Sequence, residues 1–280
     1  MITFASKATT SDIRQMWKTV FGDTDEYIDL YFTRKYKPEN TLVYLEENKP
    51  VASLQMLPYT ITFYGKRLNF YYLMGLCTLP EYRRRGYMEQ LILHSHEIMQ
   101  QRQIPLSVLV PAEDWLFGFY EKYGYEKVFE KDNRPIPLAA ILEQHPDIEE
   151  AYAAFGKLQQ QDFYVQKNFE DFETIVDEYR IDSHTPRTNL SAMAHIIDTK
   201  VLLSIYAQTN RSKKFTIQID KEKYQIENGK CTTIKDESCD LMVDSRLLCR
   251  LLFGFRIDEL EDKYQKYFSR HHPTINLMLE

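Results

Sequence analysis

Glycine and proline are scarce in this 280-residue chain, nine and eleven residues, so the turns they mark are few and informative. Cysteine is scarcer still. Cys77, Cys231, Cys239 and Cys249 form no CxxC pair, and no histidine stands at a zinc spacing from them. That spacing argues against a metal site and suits free thiols in a reducing, cytoplasmic setting. The His271-His272 pair is too short to hold a metal and reads as part of an exposed tail. No apolar run approaches the roughly 18 residues of a membrane span. The start, MITFASKATTSDIRQ, lacks a basic segment followed by an apolar one, so no export signal is expected. Positive charge is not in surplus either: the net charge is -6. Residues 1–135 are balanced at 17 basic and 17 acidic, which leaves the acidic excess in the second half. General nucleic-acid binding is therefore not expected, whereas a cationic partner is tolerated. No repeat, heptad or low-complexity tract occurs.

What is present is a 44% hydrophobic chain, enough for a well-buried core and long enough for two domains. Residues 1–131 read β-α-α-β-β-β-α-β-α-β. A short strand ITFAS precedes Thr10-Ser11-Asp12, a helix start, and IRQMWKTVF; DEYIDLYFTRKY follows as a second amphipathic helix. TLVYLEE, PVASLQMLPYTITFY and RLNFYYLMGLCT are β-rich runs separated by Glu47-Asn48-Lys49 and Gly65-Lys66. Phe70, Tyr71 and Tyr72 read mostly as core strand. A long helix starts after Gly86, PLSVLVP suits a buried strand, WLFGFYEKYGY a short helix, and YEKVFEK a strand. Residues 132–188 are polar and irregular and read as a connector with two or three helices. From Asn189, SAMAHIIDTKVLLSIYA reads as one amphipathic helix. FTIQIDKEKYQIENGKCTTIK alternates with period two around an Asn228-Gly229 hairpin turn. CDLMVD is a strand, and SRLLCRLLFG a helix stopped by Gly254. The fold class is mixed, α+β or α/β: 1–131 a first domain, 132–188 a connector, 189–280 a small α+β domain.

The chemistry concentrates between Gly75 and Tyr87. A buried strand runs into Pro80, then Arg83-Arg84-Arg85-Gly86, then a helix. At such a junction several backbone N–H groups lack an intrahelical acceptor and point forward, reinforced by the helix dipole. Gly86 lets a ligand approach the backbone, and three arginines add fixed charge. The ligand this cradle suits is a pyrophosphate.

TLPEYRRRGYMEQLI resembles the acyl-CoA-binding motif of the GNAT acetyltransferases, Arg/Gln-x-x-Gly-x-Gly/Ala, with Arg83 and Gly86 in its first and fourth places. Met88 stands where glycine or alanine is usual, a departure shared with the branch resembling the enhanced intracellular survival acetyltransferases. GFYEKYGY resembles the end of the GNAT core. AMAHIIDTKVLL and YQIENGKCT…CDLMVDSRLLCRLLFG resemble the sterol-carrier-protein-like domain of that branch. The branch often has a GNAT-like middle domain, which 57 residues would leave absent or much reduced.

The resemblance implies an N-acetyltransferase with a GNAT fold, acetyl-CoA as co-substrate and no metal. Leu76, Cys77 and Thr78 would hold pantetheine and the thioester carbonyl, and Arg83, Arg84, Arg85, Gly86, Tyr87 and Met88 the pyrophosphate. A small-molecule, peptide or protein amine attacks the thioester directly. Tyr120 would protonate the departing thiolate, a reasonable match of a phenol near 10 to a thiol near 8.5. The C-terminal carboxylate of Glu280 is the candidate base, since the apolar tail HPTINLMLE favours docking. The branch commonly forms homo-oligomers. Glu113 and Asp114 read as acids at a helix N-terminus or as acceptor-binding groups, His94 and His96 as packing or solvent-facing residues, and Cys77 as no nucleophile. The alternative is a domain that binds acyl-CoA without turnover, or a C-terminal module for an apolar ligand.

Overall fold

Two-residue turns with positive φ shape the sheet. The structure, a computed structural model, describes residues 1–182, 185–235 and 238–279. Strand β3 (Lys49–Phe63) turns at Tyr64 and Gly65, φ 50° and 71°, into β4 (Lys66–Thr78), with Phe63 opposite Lys66. Positive φ at both turn residues matches the right-handed twist of a hairpin. Before them come β1 (Ile2–Phe4), α1 (Thr10–Phe21), α2 (Asp25–Arg34) and β2 (Thr41–Glu46). After them come α3 (Tyr87–Gln101), β5 (Leu106–Leu109), α4 (Asp114–Glu121) and β6 (Glu126–Phe129). This order is the one expected for residues 1–131.

The sheet faces two cores. Phe70 and Tyr72 pack with Ile13, Trp17 and Tyr31 beneath α1 and α2. Tyr71 and Leu73, of opposite parity, pack with Leu91, Ile92 and Tyr120 beneath α3 and α4.

Residues 132–182 supply α5 (Leu138–Gln144), α6 (Ile148–Gly156), β7 (Val165–Gln166) and α7 (Phe169–Ile181). They are tied into the first half. Strand β7 pairs with β3, Lys35 of the loop after α2 forms an ion pair with Asp171 of α7, and Arg34 reaches Asp177 at 2.6 Å.

One element differs from expectation. SAMAHIIDTKVLLSIYA is not a single helix: Ala192–Ile196 is strand β8, and the helix, α8, spans Thr199–Thr209. Strand β8 lies between β5 and β6, antiparallel to both, so the segment following Asn189 completes the first sheet. That sheet runs β1-β2-β3-β4-β5-β8-β6, with β7 on β3. Asp198 caps α8 by accepting from the Val201 N–H at 3.0 Å, which fixes where strand ends and helix begins.

The remaining elements are β9 (Phe215–Ile219), β10 (Glu222–Glu227), β11 (Lys230–Thr233), β12 (Leu241–Val243), α9 (Ser245–Leu252) and α10 (Asp262–Gln265). They form a four-stranded sheet, β11-β10-β9-β12. The Asn228-Gly229 turn is as expected, with φ 53° and 76° between Glu227 and Lys230. Gly254 follows α9 with φ 63°. The tail docks: Ile275 to Leu279 are all buried. Among the described residues no helix is long and apolar enough to cross a membrane.

Candidate active site

Strand β4 runs parallel to β5 only over Tyr71–Leu73, opposite Ser107–Leu109. Beyond that, β4 stays on β3 while the chain after β5 turns away into α4, so the two strands part. A bulge in β4 sits where they part. Gln55 faces Met74 and Ser53 faces Cys77, so Gly75 and Leu76 share the single partner Leu54. Gly75 adopts φ 59°, and a Cβ there would lie 2.5 Å from Trp17 Cζ3. Only glycine meets both demands.

The opening is a cleft of about 730 Å³. One wall is Leu76, Cys77 and Thr78; the other is α4 with Leu116, Phe119, Tyr120 and Tyr123. Its far end is Arg83, Arg84, Arg85, Gly86, Tyr87 and Met88. The structure thus brings all nine candidate cofactor residues and Tyr120 into one cleft. Glu280, the remaining candidate, lies outside the described residues.

At the far end Gly86, φ 76°, precedes α3, whose first bond runs from the Gln90 N–H to the Gly86 carbonyl at 3.1 Å. The N–H groups of Tyr87, Met88 and Glu89 therefore have no intrahelical acceptor and face the cleft end. A Cβ on Gly86 would meet nothing within 4 Å, so its φ, and not crowding, selects glycine here.

The three arginines are not equivalent. Arg83 Nε donates to the Thr78 carbonyl at 3.2 Å, bracing the loop against the end of β4. Arg85 donates to the Glu81 carbonyl at 3.1 Å, lies over Tyr82 and reaches Glu46 at 3.6 Å. Tyr87 also donates to Glu46, at 2.8 Å, and stacks on Tyr44. Arg84, with φ 63°, is exposed and among the described residues makes no ion pair. Arg83 makes no ion pair among the described residues either, but its guanidinium is tied to Thr78, so Arg84 is the one of the three with neither a side-chain hydrogen bond nor an ion pair there. Arg84→Ala should weaken acetyl-CoA binding roughly tenfold, the value of one charge-assisted phosphate contact of about 1.5 kcal/mol. Arg85→Ala should weaken it less, because Arg85 is occupied by Glu46; titration calorimetry on both variants checks this order.

Tyr120 is 7% exposed, packs edge-on against Phe119 and Tyr125, and lines the cleft. Among the described residues its hydroxyl has no hydrogen-bond partner. Burial pushes its pKa up, so it holds its proton through the neutral range. The neighbouring Tyr125 is committed elsewhere: its hydroxyl meets Ser107 Oγ at 2.6 Å and His96 Nε2 at 3.1 Å. His96 stacks on His195 of β8, and burial, then His195, drives its pKa down to about 3. His96 is therefore a neutral packing group behind the cleft, and His94 pairs with Glu97.

Cys77 lies against Ser53 at 3.4 Å, and burial pushes its thiol up to about 11, which disarms it as a nucleophile. Glu113 precedes α4 and accepts from the Trp115 indole N–H at 2.8 Å. Sequence reasoning missed Val20 and Phe21, which end α1 at the cleft, and Trp115, 64% exposed on its other side. An exposed tryptophan next to the cradle was the available signal.

Residues 2–128 match the family model described as an acetyltransferase (GNAT) domain. Among solved structures, a probable N-acyltransferase of Enterococcus faecalis V583 is 12% identical with a TM-score of 0.70, the alignment covering 98% of both chains. A GCN5-related N-acetyltransferase from Anabaena variabilis is 15% identical with a TM-score of 0.64, again over 98% of both. Eis1 from Mycobacterium abscessus is 12% identical with a TM-score of 0.65 over 98% of both. At these identities the likeness is one of fold, and it extends over the whole chain. No curated protein matches the chain by sequence. With the cradle, the parted strands and the family match on the same residues, 2–128 match a GNAT acetyltransferase domain in sequence and in fold, and the chain that carries them is an acyltransferase.

Proposed function

We propose that the chain moves an acetyl group from acetyl-CoA to a primary amine by direct attack, with Tyr120 as general acid and the C-terminal carboxylate as base. The observation that carries this is Tyr120, a buried residue that lines the same cleft as the pyrophosphate cradle and whose hydroxyl has no partner among the described residues. The pyrophosphate lies on the N–H groups at the start of α3 with Arg84. Pantetheine runs along Leu76, Cys77 and Thr78, where β4 has lost its neighbour and offers free backbone groups. The amine nitrogen bonds to the thioester carbon and gives up a proton to the C-terminal carboxylate, the tetrahedral intermediate collapses, and the C–S bond breaks. Tyr120 gives its proton to the sulfur.

The tail supports the base. Met278 lies against Lys167, whose ammonium sits 5.0 Å over the ring of Tyr59. Tyr59 shares the β3 face that Gln55 occupies, so Met278, two residues before Glu280, lies on the side of the sheet opposite the α3 and α4 core. An acceptor entering there would meet donor and base from opposite sides. We further read residues 189–280 as sterol-carrier-protein-like in fold, the enzyme as cytoplasmic, with its four free thiols, and its assembly as homo-oligomeric.

The test is a thermal-shift titration with acetyl-CoA, CoA and ATP, followed by an amine screen. A saturable rise specific to the CoA compounds, with acetylation of at least one amine, is the expected result. A rise without turnover on any small amine, peptide or protein acceptor would favour acyl-CoA binding without catalysis. A further glycine-serine segment added after Glu280 moves the carboxylate away and should lower kcat about 10- to 100-fold, with KM for acetyl-CoA nearly constant. An unchanged kcat would remove the tail from the mechanism.

A further inference from the structure

Gln55, in the middle of β3, is 1% exposed. Its Oε1 accepts from the Tyr31 hydroxyl at 2.6 Å. Among the described residues its Nε2 has no hydrogen-bond partner. A buried amide donor left unmade costs free energy that a core of leucine or methionine would avoid, so a retained one calls for a reason. Its position supplies one. A Cβ at Gly75 would lie 3.1 Å from Gln55 Nε2, so the carboxamide lies across β4 at the bulge, in space that any other residue at 75 would fill. Leu76, the next residue, lines the cleft. Tyr31, itself held against Trp17 at 4.6 Å between ring centres, fixes the orientation. It donates to the oxygen and leaves the NH2 end for the bulge.

We infer that Gln55 Nε2 is a hydrogen-bond donor to the acyl oxygen of the thioester, stronger when that oxygen becomes the oxyanion of the tetrahedral intermediate. This rests on the acetyl-transfer reading above and adds a catalytic residue to it. A side-chain donor suits the task because it is held in advance in a dry place, and the carbonyl oxygen gains negative charge as the amine attacks. An NH2 group repels an ammonium, so it matches the acyl oxygen and not the acceptor nitrogen. The covalent steps are unchanged: the amide donor transfers no proton and only stabilises charge.

The experiment uses Gln55→Met and Gln55→Leu, each of which removes the amide donor without placing a titratable group in the core. Three readouts apply: melting temperature, kcat and KM for acetyl-CoA, and the infrared stretch of bound acetyl-CoA carrying carbon-13 at the thioester carbonyl. In both variants kcat should fall by about 10²-fold, the usual loss of one oxyanion donor, with KM within about threefold of wild type. The carbonyl stretch, lowered in the wild-type complex, should return toward its solution value in both. Unchanged kcat, or an unchanged carbonyl stretch, overturns the inference. Failure of both variants to fold gives the carboxamide a structural role and overturns it equally. If the wild-type protein binds no acetyl-CoA and acetylates nothing, the acetyl-transfer reading falls and takes Gln55 with it. If the wild type works and the variants match it, only Gln55 falls.

Discussion

Tyr120→Phe should lower kcat by roughly 10²- to 10⁴-fold, the range for loss of a positioned general acid, and leave KM for acetyl-CoA within a few-fold. The two halves of this expectation have separate causes. The ring of Tyr120 forms part of the cleft wall, packed against Phe119 and Tyr125, and phenylalanine keeps that surface. The hydroxyl makes no hydrogen bond among the described residues, so removing it leaves no partner stranded. Stability should therefore hold, and a lowered kcat would report the lost proton and not a damaged fold. The pH dependence follows from the same burial. Burial raises the phenol pKa above its ordinary value near 10, so the acid form persists at every pH where the fold is sound. The wild-type enzyme should then lose kcat on the acid side, as the amine and its base become protonated, and show no fall between pH 8 and about 10 from Tyr120 itself. A steep loss of kcat centred near pH 9 in the wild type, absent in the phenylalanine variant, would contradict this account.

The cradle was legible because its parts are local. A strand, Pro80, three arginines, Gly86 and a helix follow one another within a dozen residues, and the chemistry of a helix start depends on little else. The same is true of Asn228-Gly229, where the sequence demands positive φ at two adjacent residues. What stayed hidden is what distant segments decide. Residues 192–196 are buried at four of five positions, on both sides, because β8 sits inside the sheet between β5 and β6. A strand buried on both faces shows no alternation, and Ala-Met-Ala suits a helix by propensity, so tertiary pairing overrode the local signal. Gln55 is the clearest case. Nothing in PVASLQMLPY marks it, since the role inferred for it arises from a bulge 20 residues later in the chain and from Tyr31 on α2. The division of labour among the arginines was equally invisible, because Glu46, which occupies Arg85 and Tyr87, arrives from β2.

Gly75→Ala should be the most damaging conservative change in the cleft, and its two effects separate bulge from fold. Alanine at φ 59° carries the left-handed penalty of about 1–2 kcal/mol. Its Cβ would also stand 2.5 Å from Trp17 Cζ3 and 3.1 Å from Gln55 Nε2. Trp17 cannot withdraw cheaply: it is 3% exposed, stacked near Tyr31, and its indole N–H is held by Asp23 at 2.7 Å. Overpacking a site so enclosed adds about 1–3 kcal/mol. A total near 3 kcal/mol should lower the melting temperature by about 6–12 °C in a chain of this size. The chain can relieve the clash in only two ways. If Trp17 and α1 move, β4 keeps its bulge, acetyl-CoA still binds, and the loss is one of stability. If instead the bulge is squeezed out, the register of β4 beyond it slips by one residue and Leu76, Cys77 and Thr78 exchange faces. The pantetheine wall is then lost, and the thermal shift given by acetyl-CoA disappears with it. Because Trp17 is fixed by both packing and a hydrogen bond while the bulge is held mainly by Gly75, the second outcome is expected. A variant that melts lower yet keeps the full acetyl-CoA shift would show that α1, and not the bulge, is the softer element.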